Sequence, residues 1–246
     1  MAYKRLERFL IQLDSIDSTN SYANGLLKGT KVVNGTAVLT HHQHNGRGQR
    51  SNTWTTEPGK NLTCSVILLS NVPVKYSFYL NIVVSLAVRK ALSDLGLDVE
   101  IKWPNDILIG RKKVCGILIE NQISGTRINS SVVGIGLNVN QENFDDLPRA
   151  TSLRNELGYH VEVMDVFEQV YNYLDFYYNL LLESNFELLL RHYYNHLFLL
   201  NKSADFEDQK GGFNGTIAGI DENGRLLIQR DGKVMAYDLK EISYRY

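Results

Sequence analysis

Four short runs of strand-forming residues follow one another closely in the middle of the chain, and their spacing is the feature that most restricts the fold. The runs cover residues 99–102, 107–109, 114–120 and 131–137. The connections between them suit hairpins, because a parallel crossover needs a dozen or more residues and usually contains a helix. We therefore predict an α+β fold whose sheet is antiparallel or mixed, rather than a doubly wound parallel sheet.

Helical and strand patterns surround this central group. Ser18-Thr19-Asn20 is typical of a helix cap, and Gly29 would end that helix. Residues 184–187 have the capping-box spacing for a later helix that runs toward Leu200. The apolar spacing within residues 167–181 indicates an amphipathic helix packed on a sheet. The other predicted elements are a helix over residues 76–95 and strands over residues 36–40 and 61–69.

The pattern changes after about residue 210, where three strand-like runs are separated by two strong turn signals. The runs cover residues 213–220, 225–230 and 233–239, and the turns are Asp221-Glu222-Asn223-Gly224 and Asp231-Gly232. An array this small cannot bury a core alone, so we expect a small barrel packed against the main domain. The predicted domains are residues 1–205 and residues 206–246.

The composition excludes several classes of protein. With 26 Lys and Arg against 27 Asp and Glu, the net charge of −1 supplies no diffuse basic surface for nucleic acid. No apolar run approaches the roughly 20 residues that span a bilayer. Cys64 and Cys115 are too few for a disulfide framework, and His41, His42 and His44 have no cysteine or carboxylate at ligand spacing. We therefore expect a cytoplasmic protein without a protein-bound metal, a nucleic-acid partner or a membrane partner.

The loop Gly46-Arg47-Gly48-Gln49-Arg50 is the first candidate for chemistry. Two glycines one residue apart let the backbone approach a ligand closely, and two arginines supply donors suited to carboxylate or phosphate. The run is not a Walker loop, since it lacks Gly-Lys-Ser/Thr. A solvated basic hairpin loop explains the same residues, so the motif alone leaves both interpretations open.

A second candidate is the corner Lys102-Trp103-Pro104-Asn105-Asp106. Proline ends the preceding strand, so the ionisable side chains around it would be held in a shaped turn. The alternative is a purely structural turn with a buried Trp103 and a capping Asp106. A corner that combines charged, aromatic, proline and amide residues is unusual for a plain turn.

Two glycine-containing strands follow this corner. Lys113 precedes a strand that contains Gly116, and Gly134 alternates with Gly136 in the next strand. Glycines two residues apart leave one face of a strand without side chains, which gives a flat ligand room to lie against it. Taken alone, Lys113 and Lys112 would be interpreted as the polar tip of a hairpin.

Taken in order along the chain, these motifs resemble the biotin–protein ligase family over about residues 14–140. The resemblance rests on Asp17-Ser18-Thr19-Asn20, Gln43, Gly46-Arg47-Gly48, Trp54, Lys102-Trp103-Pro104-Asn105-Asp106, Lys113-x-x-Gly116-Ile117-Leu118-Ile119-Glu120 and Gly134-x-Gly136-x-Asn138. The C-terminal strands resemble the small SH3-like domain of that family. The resemblance implies a mixed sheet flanked by helices, related to class II aminoacyl-tRNA synthetases.

The resemblance also implies an activity. The chain would use ATP and Mg²⁺ to convert biotin to biotinyl-5'-AMP, and would pass the biotinyl group to a lysine of a biotin carboxyl carrier protein. The implied catalytic residues are Arg47, Lys102, Asp106 and Lys113. The implied biotin-binding residues are Ser18, Thr19, Asn20, Gln43, Gly46, Arg47, Gly48, Lys113, Gly116 and Gly134. The implied ATP- and adenylate-binding residues are Arg47, Gln49, Arg50, Trp54, Lys102, Asn105 and Asn138.

Within these sets, the resemblance assigns several kinds of contact. Short hydroxyl and amide side chains suit the ureido head group of biotin, which offers two N–H donors and one strong acceptor. The residues around the head group would be Ser18, Thr19, Asn20 and Gln43. Gly116 and Gly134 would leave room for the ring and tail of biotin. The residues near the carboxylate and the nucleotide would be Arg47, Lys113, Trp54 and Asn138. Asp106 is the candidate to orient the acceptor amine and take its proton.

Some features depart from the family pattern. Gln49 stands where many members carry arginine, and Asn52 replaces a further basic residue. Adenylate retention would therefore rest more on Arg47 and Arg50. The residues before Asp17 are too few for the winged-helix DNA-binding domain of repressor members, so we expect no repressor function. Monomer and homodimer are both open.

Two other functions remain open at this point. A lipoate–protein ligase shares the fold and the adenylate chemistry, but it would show an Arg-Arg-x-x-Gly-Gly-Gly run, which is absent here. A non-catalytic biotin sensor would bind the ligand without turnover. Lys113 and the complete motif over residues 102–106 argue against a sensor.

Overall fold

The computed structural model describes residues 6–29, 31–49, 52–145 and 147–245. The strands are β1 (Leu10–Ile16), β2 (Ala37–Gln43), β3 (Leu62–Pro73), β4 (Val99–Lys102), β5 (Asp106–Ile109), β6 (Lys112–Ser124), β7 (Arg127–Leu137), β8 (Ser203–Asp208), β9 (Gly211–Ile220), β10 (Leu226–Arg230), β11 (Lys233–Tyr237) and β12 (Ser243–Arg245). The helices are α1 (Thr19–Gly29), α2 (Phe78–Ser93), α3 (Leu153–Leu157), α4 (Val163–Leu182) and α5 (Phe186–Tyr194). In this part of the chain, none of the helices has the length and apolar character needed to cross a membrane.

A seven-stranded mixed sheet forms the larger part of the molecule. Its strand order is β1-β2-β3-β7-β6-β5-β4, and neighbouring strands are antiparallel except for the parallel pair β1 and β2. This confirms the predicted α+β class with a mixed sheet. The prediction missed β1, because this edge strand has no buried residue and therefore only a weak apolar pattern.

The two faces of this sheet are covered by different helices. Helix α1 lies on one face and packs near Val38, Ile67 and Val132, whereas α2 and α4 cover the other face. The predicted start of α1 is confirmed, since Ser18 Oγ accepts a hydrogen bond from Ser21 N at 3.4 Å. The N-terminal end of α1 is therefore anchored over the central strands.

A five-stranded antiparallel sheet forms the C-terminal part, with the order β11-β10-β9-β8-β12. The three predicted strands correspond to β9, β10 and β11, and the structure adds β8 and β12. Its apolar side chains join the same core as the main sheet, and the buried ones are Phe206, Ile217, Leu226, Ile228 and Tyr237. The division after residue 205 stays a proposal, and β8 begins at Ser203.

The last predicted helix is shorter than expected and ends at Tyr194. The predicted capping box is wrong, because Asn185 is the N-cap residue without a side-chain capping bond and Ser184 has a φ of 61°. Beyond the helix, the chain pairs with the edge strand β4, where His196 O accepts a hydrogen bond from Ile101 N at 2.8 Å. Pairing with the sheet thus replaces further helical turns.

Trp103 ties the two sheets together. Its side chain is buried, and its Nε1 donates a hydrogen bond to Gly224 O at 2.8 Å. Gly224 lies in the predicted turn and donates its own N–H to Asp221 O at 3.0 Å. The corner over residues 102–106 therefore has the structural role of a turn with a buried tryptophan, in addition to any role of its charged residues.

Replacing Trp103 with phenylalanine is expected to lower the thermal midpoint while the protein still folds. Phenylalanine keeps most of the apolar contact, but it leaves the Gly224 carbonyl without its donor, which costs about 1–3 kcal/mol for a buried group. For a chain of this size, each kcal/mol lowers the midpoint by roughly 2–4 °C. Thermal unfolding followed by circular dichroism measures the shift, and an unchanged midpoint would contradict the anchoring role.

Candidate functional site

A slot opens on the sheet face that α1 covers, at the N-terminal end of that helix. The predicted residues that line it are Ser18, Thr19, Asn20, Gln43, Arg47, Gly48, Gln49, Trp54, Asn105, Lys113, Gly116 and Gly134. One slot therefore gathers residues from α1, from the loop after β2 and from strands β6 and β7.

The glycines of the floor make room for side chains of the protein itself. A Cβ atom at Gly134 would overlap the amide of Asn20, and one at Gly136 would overlap the indole of Trp54. A Cβ atom at Gly116 would lie 3.1 Å from the Trp54 ring. The sequence led us to expect that Gly116 and Gly134 leave room for a ligand directly. In the structure Asn20 and Trp54 occupy that space and become walls of the slot.

One end of the slot is a connected set of short polar side chains. Thr19 N donates a hydrogen bond to Gln43 Oε1 at 2.9 Å. Ser65 Oγ donates to Asn20 Oδ1 at 2.6 Å and lies 2.8 Å from Thr19 Oγ1. Because Gln43 Oε1 is occupied, its Nε2 is left to donate, and the hydroxyl hydrogen of Ser18 is a second donor. This polar end therefore offers both donors and an acceptor to a ligand.

Glu120 lies behind the polar end, and the sequence analysis assigned it no role. Its Oε2 accepts hydrogen bonds from Asn20 Nδ2 at 2.9 Å, Asn24 Nδ2 at 3.0 Å and Arg47 Nη2 at 2.9 Å. Arg47 is thus paired with a carboxylate of the protein, although the resemblance assigns it to an anionic ligand. An anion that enters the slot would compete with Glu120 for this arginine.

A β-bulge brings Lys113 to the other end of the slot. Leu108 on β5 pairs with Lys113, while the residue before Leu108 pairs with Cys115, so Val114 is an extra residue on β6. The extra residue moves Lys113 onto the face of the sheet that carries Asp106. Without the bulge, the alternation of the strand would turn Lys113 toward the core with Cys115.

Lys113, Asp106 and Lys102 form a charged group at this end, which we call the cationic end. Lys113 Nζ lies 2.6 Å from Asp106 Oδ1, and Lys102 Nζ lies 3.9 Å from Asp106 Oδ2. Lys102 Nζ also lies 5.0 Å from the centre of the Tyr244 ring, which β12 supplies. Two cations around one carboxylate leave a positive charge, which attracts an anionic ligand.

Two of the predicted nucleotide-binding amides support the backbone. Asn105 Nδ2 donates to Ile117 O, and Asn138 Nδ2 donates to Thr151 O at 2.9 Å. Asn105 borders the slot, whereas Asn138 borders an adjoining cavity. The other residues of that cavity include Trp54, Lys102, Leu108, Asp106, Lys113, Phe144, Leu147 and Pro148. The two cavities therefore meet at Trp54 and the cationic end.

The loop after β2 is a tight hairpin that also lines the slot. Gly48 N donates to Asn52 O at 2.7 Å, and Trp54 N donates to Gly46 O at 2.9 Å. The hairpin interpretation and the ligand-binding interpretation of this motif are therefore compatible. Arg50, a predicted nucleotide-binding residue, lies outside the residues that the structure describes.

Several residues of the site were not predicted, and they are Asn24, Thr63, Cys64, Ser65, Ile117, Leu118, Glu120 and Ile135. Burial raises the pKa of Cys64 to about 12, so its thiol is a small apolar group in the wall, as expected, and not a nucleophile. Strand alternation is the signal that could have revealed Glu120, because Gly116, Leu118 and Glu120 share one face of β6. Ser65 had no comparable signal.

Comparison with known proteins gives a consistent set of relatives. Residues 13–139 match the description "Biotin/lipoate A/B protein ligase family". A bifunctional ligase/repressor BirA from Bacillus spizizenii is 31% identical over 226 residues, which cover 89% of this chain and 69% of that protein. A biotin–[acetyl-CoA-carboxylase] ligase from Paracoccus denitrificans is 36% identical over 127 residues, which cover 50% of this chain and 51% of that protein.

Solved structures are similar over nearly the whole chain. A biotin protein ligase from Aquifex aeolicus in complex with biotin and ATP has a TM-score of 0.79 and 28% identity, and the match covers 96% of this chain and 98% of that one. A biotin protein ligase from Leishmania major in complex with biotinyl-5-AMP has a TM-score of 0.64 and 22% identity, with 94% and 98% covered. Both sheets of the present chain thus belong to a shared fold.

Proposed function

The chain belongs to the biotin/lipoate A/B protein ligase family, and we propose that it is a biotin–protein ligase. It activates biotin with ATP to biotinyl-5'-AMP and transfers the biotinyl group to a lysine of a biotin carboxyl carrier protein. The observation that carries this proposal is one slot with an uncharged polar end and a cationic end. Biotin has the matching form, because a polar, uncharged head group and a carboxylate lie at its two ends.

The polar end matches the head group of biotin. A ureido ring presents two N–H donors and one strong carbonyl acceptor. Asn20 Oδ1 is suited to accept from a ring N–H, while the Ser18 hydroxyl and Gln43 Nε2 are suited to donate to the carbonyl.

The cationic end suits the first half-reaction. The biotin carboxylate attacks the α-phosphate of ATP, a new O–P bond forms and pyrophosphate leaves. Two anions must approach each other, and Lys113 and Lys102 lower that repulsion and stabilise the charge that develops on the phosphoryl oxygens. Arg47 would join them when an anionic ligand draws it away from Glu120.

The adjoining cavity suits the nucleotide. Its apolar walls next to Trp54 fit an adenine ring, with Leu108, Phe144 and Leu147 as the apolar side chains. Asn138 borders this cavity, and Gln49 borders the slot on the other side of Trp54. The α-phosphate would then lie where the two cavities meet, beside Lys113.

Mg²⁺ fits this site as a companion of the nucleotide. Among residues 6–29, 31–49, 52–145 and 147–245, no three His, Cys, Asp or Glu side chains are grouped to hold a metal ion. Magnesium usually keeps several waters and binds through substrate phosphates and one or two carboxylates. Asp106 is the carboxylate nearest the cationic end, and the ion would supply positive charge to the phosphates there.

The second half-reaction needs a base near the acyl group. The carrier lysine attacks as a neutral amine, a C–N bond forms and AMP leaves. We assign Asp106 to orient this amine and accept its proton, with Lys113 stabilising the oxyanion that develops on the acyl oxygen. The ring of Tyr244, on strand β12 of the C-terminal sheet, lies at the border of this region, 5.0 Å from Lys102 Nζ.

Biotin and ATP-Mg²⁺ together are expected to raise the thermal midpoint by more than the sum of their separate shifts. The adenylate joins both halves of the site, and a ligand at ~1,000 times its dissociation constant stabilises the native state by about 4 kcal/mol. The matched control is biotin with an ATP analogue that cannot be cleaved between the α- and β-phosphates. Shifts that merely add, without release of pyrophosphate from ATP, would contradict the proposed function.

A further inference from the structure

Glu120 determines which atoms Asn20 presents to the slot. Asn20 Nδ2 donates to Glu120 Oε2 at 2.9 Å and is 3.4 Å from Leu118 O, so both of its hydrogens face acceptors. Asn20 Oδ1 accepts the hydroxyl of Ser65 at 2.6 Å. The reversed amide would set its oxygen against a carboxylate oxygen and a carbonyl oxygen, which is unfavourable because all three lack a hydrogen. The carboxylate of Glu120 therefore holds the amide in one orientation.

In this orientation Asn20 can still accept a hydrogen bond but cannot donate another. Both hydrogens of Nδ2 are engaged, whereas Oδ1 has a second lone pair. Asn20 is 4% exposed and lines the slot, so a ligand atom that contacts it must leave water and needs a complementary partner. Only a ligand with an N–H or O–H donor at this point pairs with the second lone pair of Oδ1.

We propose that Glu120 is a specificity-determining positioning residue, which fixes Asn20 as an acceptor and so makes the slot select a ring N–H. The proposal rests on the proposed function, since it concerns how that slot recognises its ring ligand. Glu120 does not touch the ligand in this account and acts through Asn20. Leucine is close to glutamate in size but offers no acceptor, so in Glu120→Leu the Asn20 amide is free to turn around.

The test compares biotin with its two carbamate analogues, in each of which an oxygen replaces one ring N–H. Dissociation constants are measured by calorimetry without ATP. A site built around a hydrogen bond rejects an analogue that lacks the donor by a large factor, so wild type should bind one analogue at least ~100-fold more weakly than biotin. In Glu120→Leu this ratio should fall by about tenfold or more. All ligands have the same carboxylate tail, so effects of the freed Arg47 cancel in the ratio.

A second variant tests the direction of the hydrogen bonds. Glu120→Gln keeps an acceptor, because Asn20, Asn24 and Arg47 all donate to the position of Oε2 and the glutamine oxygen can take that position. This conservative variant should keep the discrimination that Glu120→Leu loses. The matched control is Glu142→Leu, which removes a carboxylate that pairs with Arg154 at 2.7 Å outside the slot, and it should leave the ratio unchanged.

The outcomes separate this proposal from the function on which it rests. Wild-type protein that does not bind biotin would overturn the proposed function, and this inference with it. If wild type binds biotin, a Glu120→Leu ratio equal to that of wild type would overturn the role of Glu120 alone. A Glu120→Gln variant that discriminates no better than Glu120→Leu would overturn it as well, because a general loss of structure would then explain both variants.

Discussion

Replacing Lys113 with alanine is expected to lower the rate of pyrophosphate release from biotin and ATP by on the order of 10²–10³. Lys113 Nζ lies 2.6 Å from Asp106 at the end of the slot where the carboxylate and the α-phosphate would meet. Its backbone, in contrast, bonds to Arg149 and Thr151 and does not depend on the side chain. The fold should therefore persist while the stabilisation of the transferring group is lost. A continuous pyrophosphate assay with saturating substrates measures the effect.

Lys112→Ala is the matched control for this experiment. Lys112 is the exposed neighbour on the same strand and has the same charge and size. It lines neither the slot nor the adjoining cavity, so its removal should leave the rate close to that of wild type. Equal losses in the two variants would mean that only the general charge of the hairpin matters, and the catalytic assignment of Lys113 would be wrong.

Replacing Gly134 with alanine is expected to weaken biotin binding by about 100-fold, which corresponds to about 2.7 kcal/mol. The added methyl group would overlap the Asn20 amide, which Glu120 and Ser65 hold in place. Gly134 belongs to a central strand whose backbone cannot move away, so Asn20 must leave its position. A displaced amide removes the acceptor for the ring N–H and leaves buried polar groups without partners. Calorimetry with biotin alone measures the loss.

Gly25→Ala is the control for this variant. Gly25 lies in the same helix as Asn20, and a Cβ atom there would meet nothing within 4 Å. Alanine is also the better helix former by about 1 kcal/mol, so this variant should bind biotin normally and melt no earlier than wild type. Normal biotin binding by Gly134→Ala would show that Asn20 is not held against the floor of the slot.

The sequence was sufficient to predict the helices, strands and turns that depend on signals within a few neighbouring residues. The apolar alternation of β6 and β7, the cap at Ser18 and the turn that ends at Gly224 all act within a few residues, and the structure contains each of them. The order of the motifs was sufficient for the family, because it depends on residue identity and spacing alone. The predicted helix toward Leu200 ended early, at Tyr194, because a tertiary contact, the pairing of His196 with β4, decided where the following segment runs.

The tertiary structure alone decided how the site residues face one another. Lys113 reaches the slot because a bulge between β5 and β6 places its side chain on the opposite face of the sheet. The pairing register of two strands cannot be deduced from the sequence of either strand alone. Glu120 meets Arg47 and Asn20 only after β6, α1 and the loop after β2 have come together, across sequence separations of 73 and 100 residues. Residue types and local periods can be read from a sequence, whereas contacts between distant segments exist only once the whole sheet has assembled.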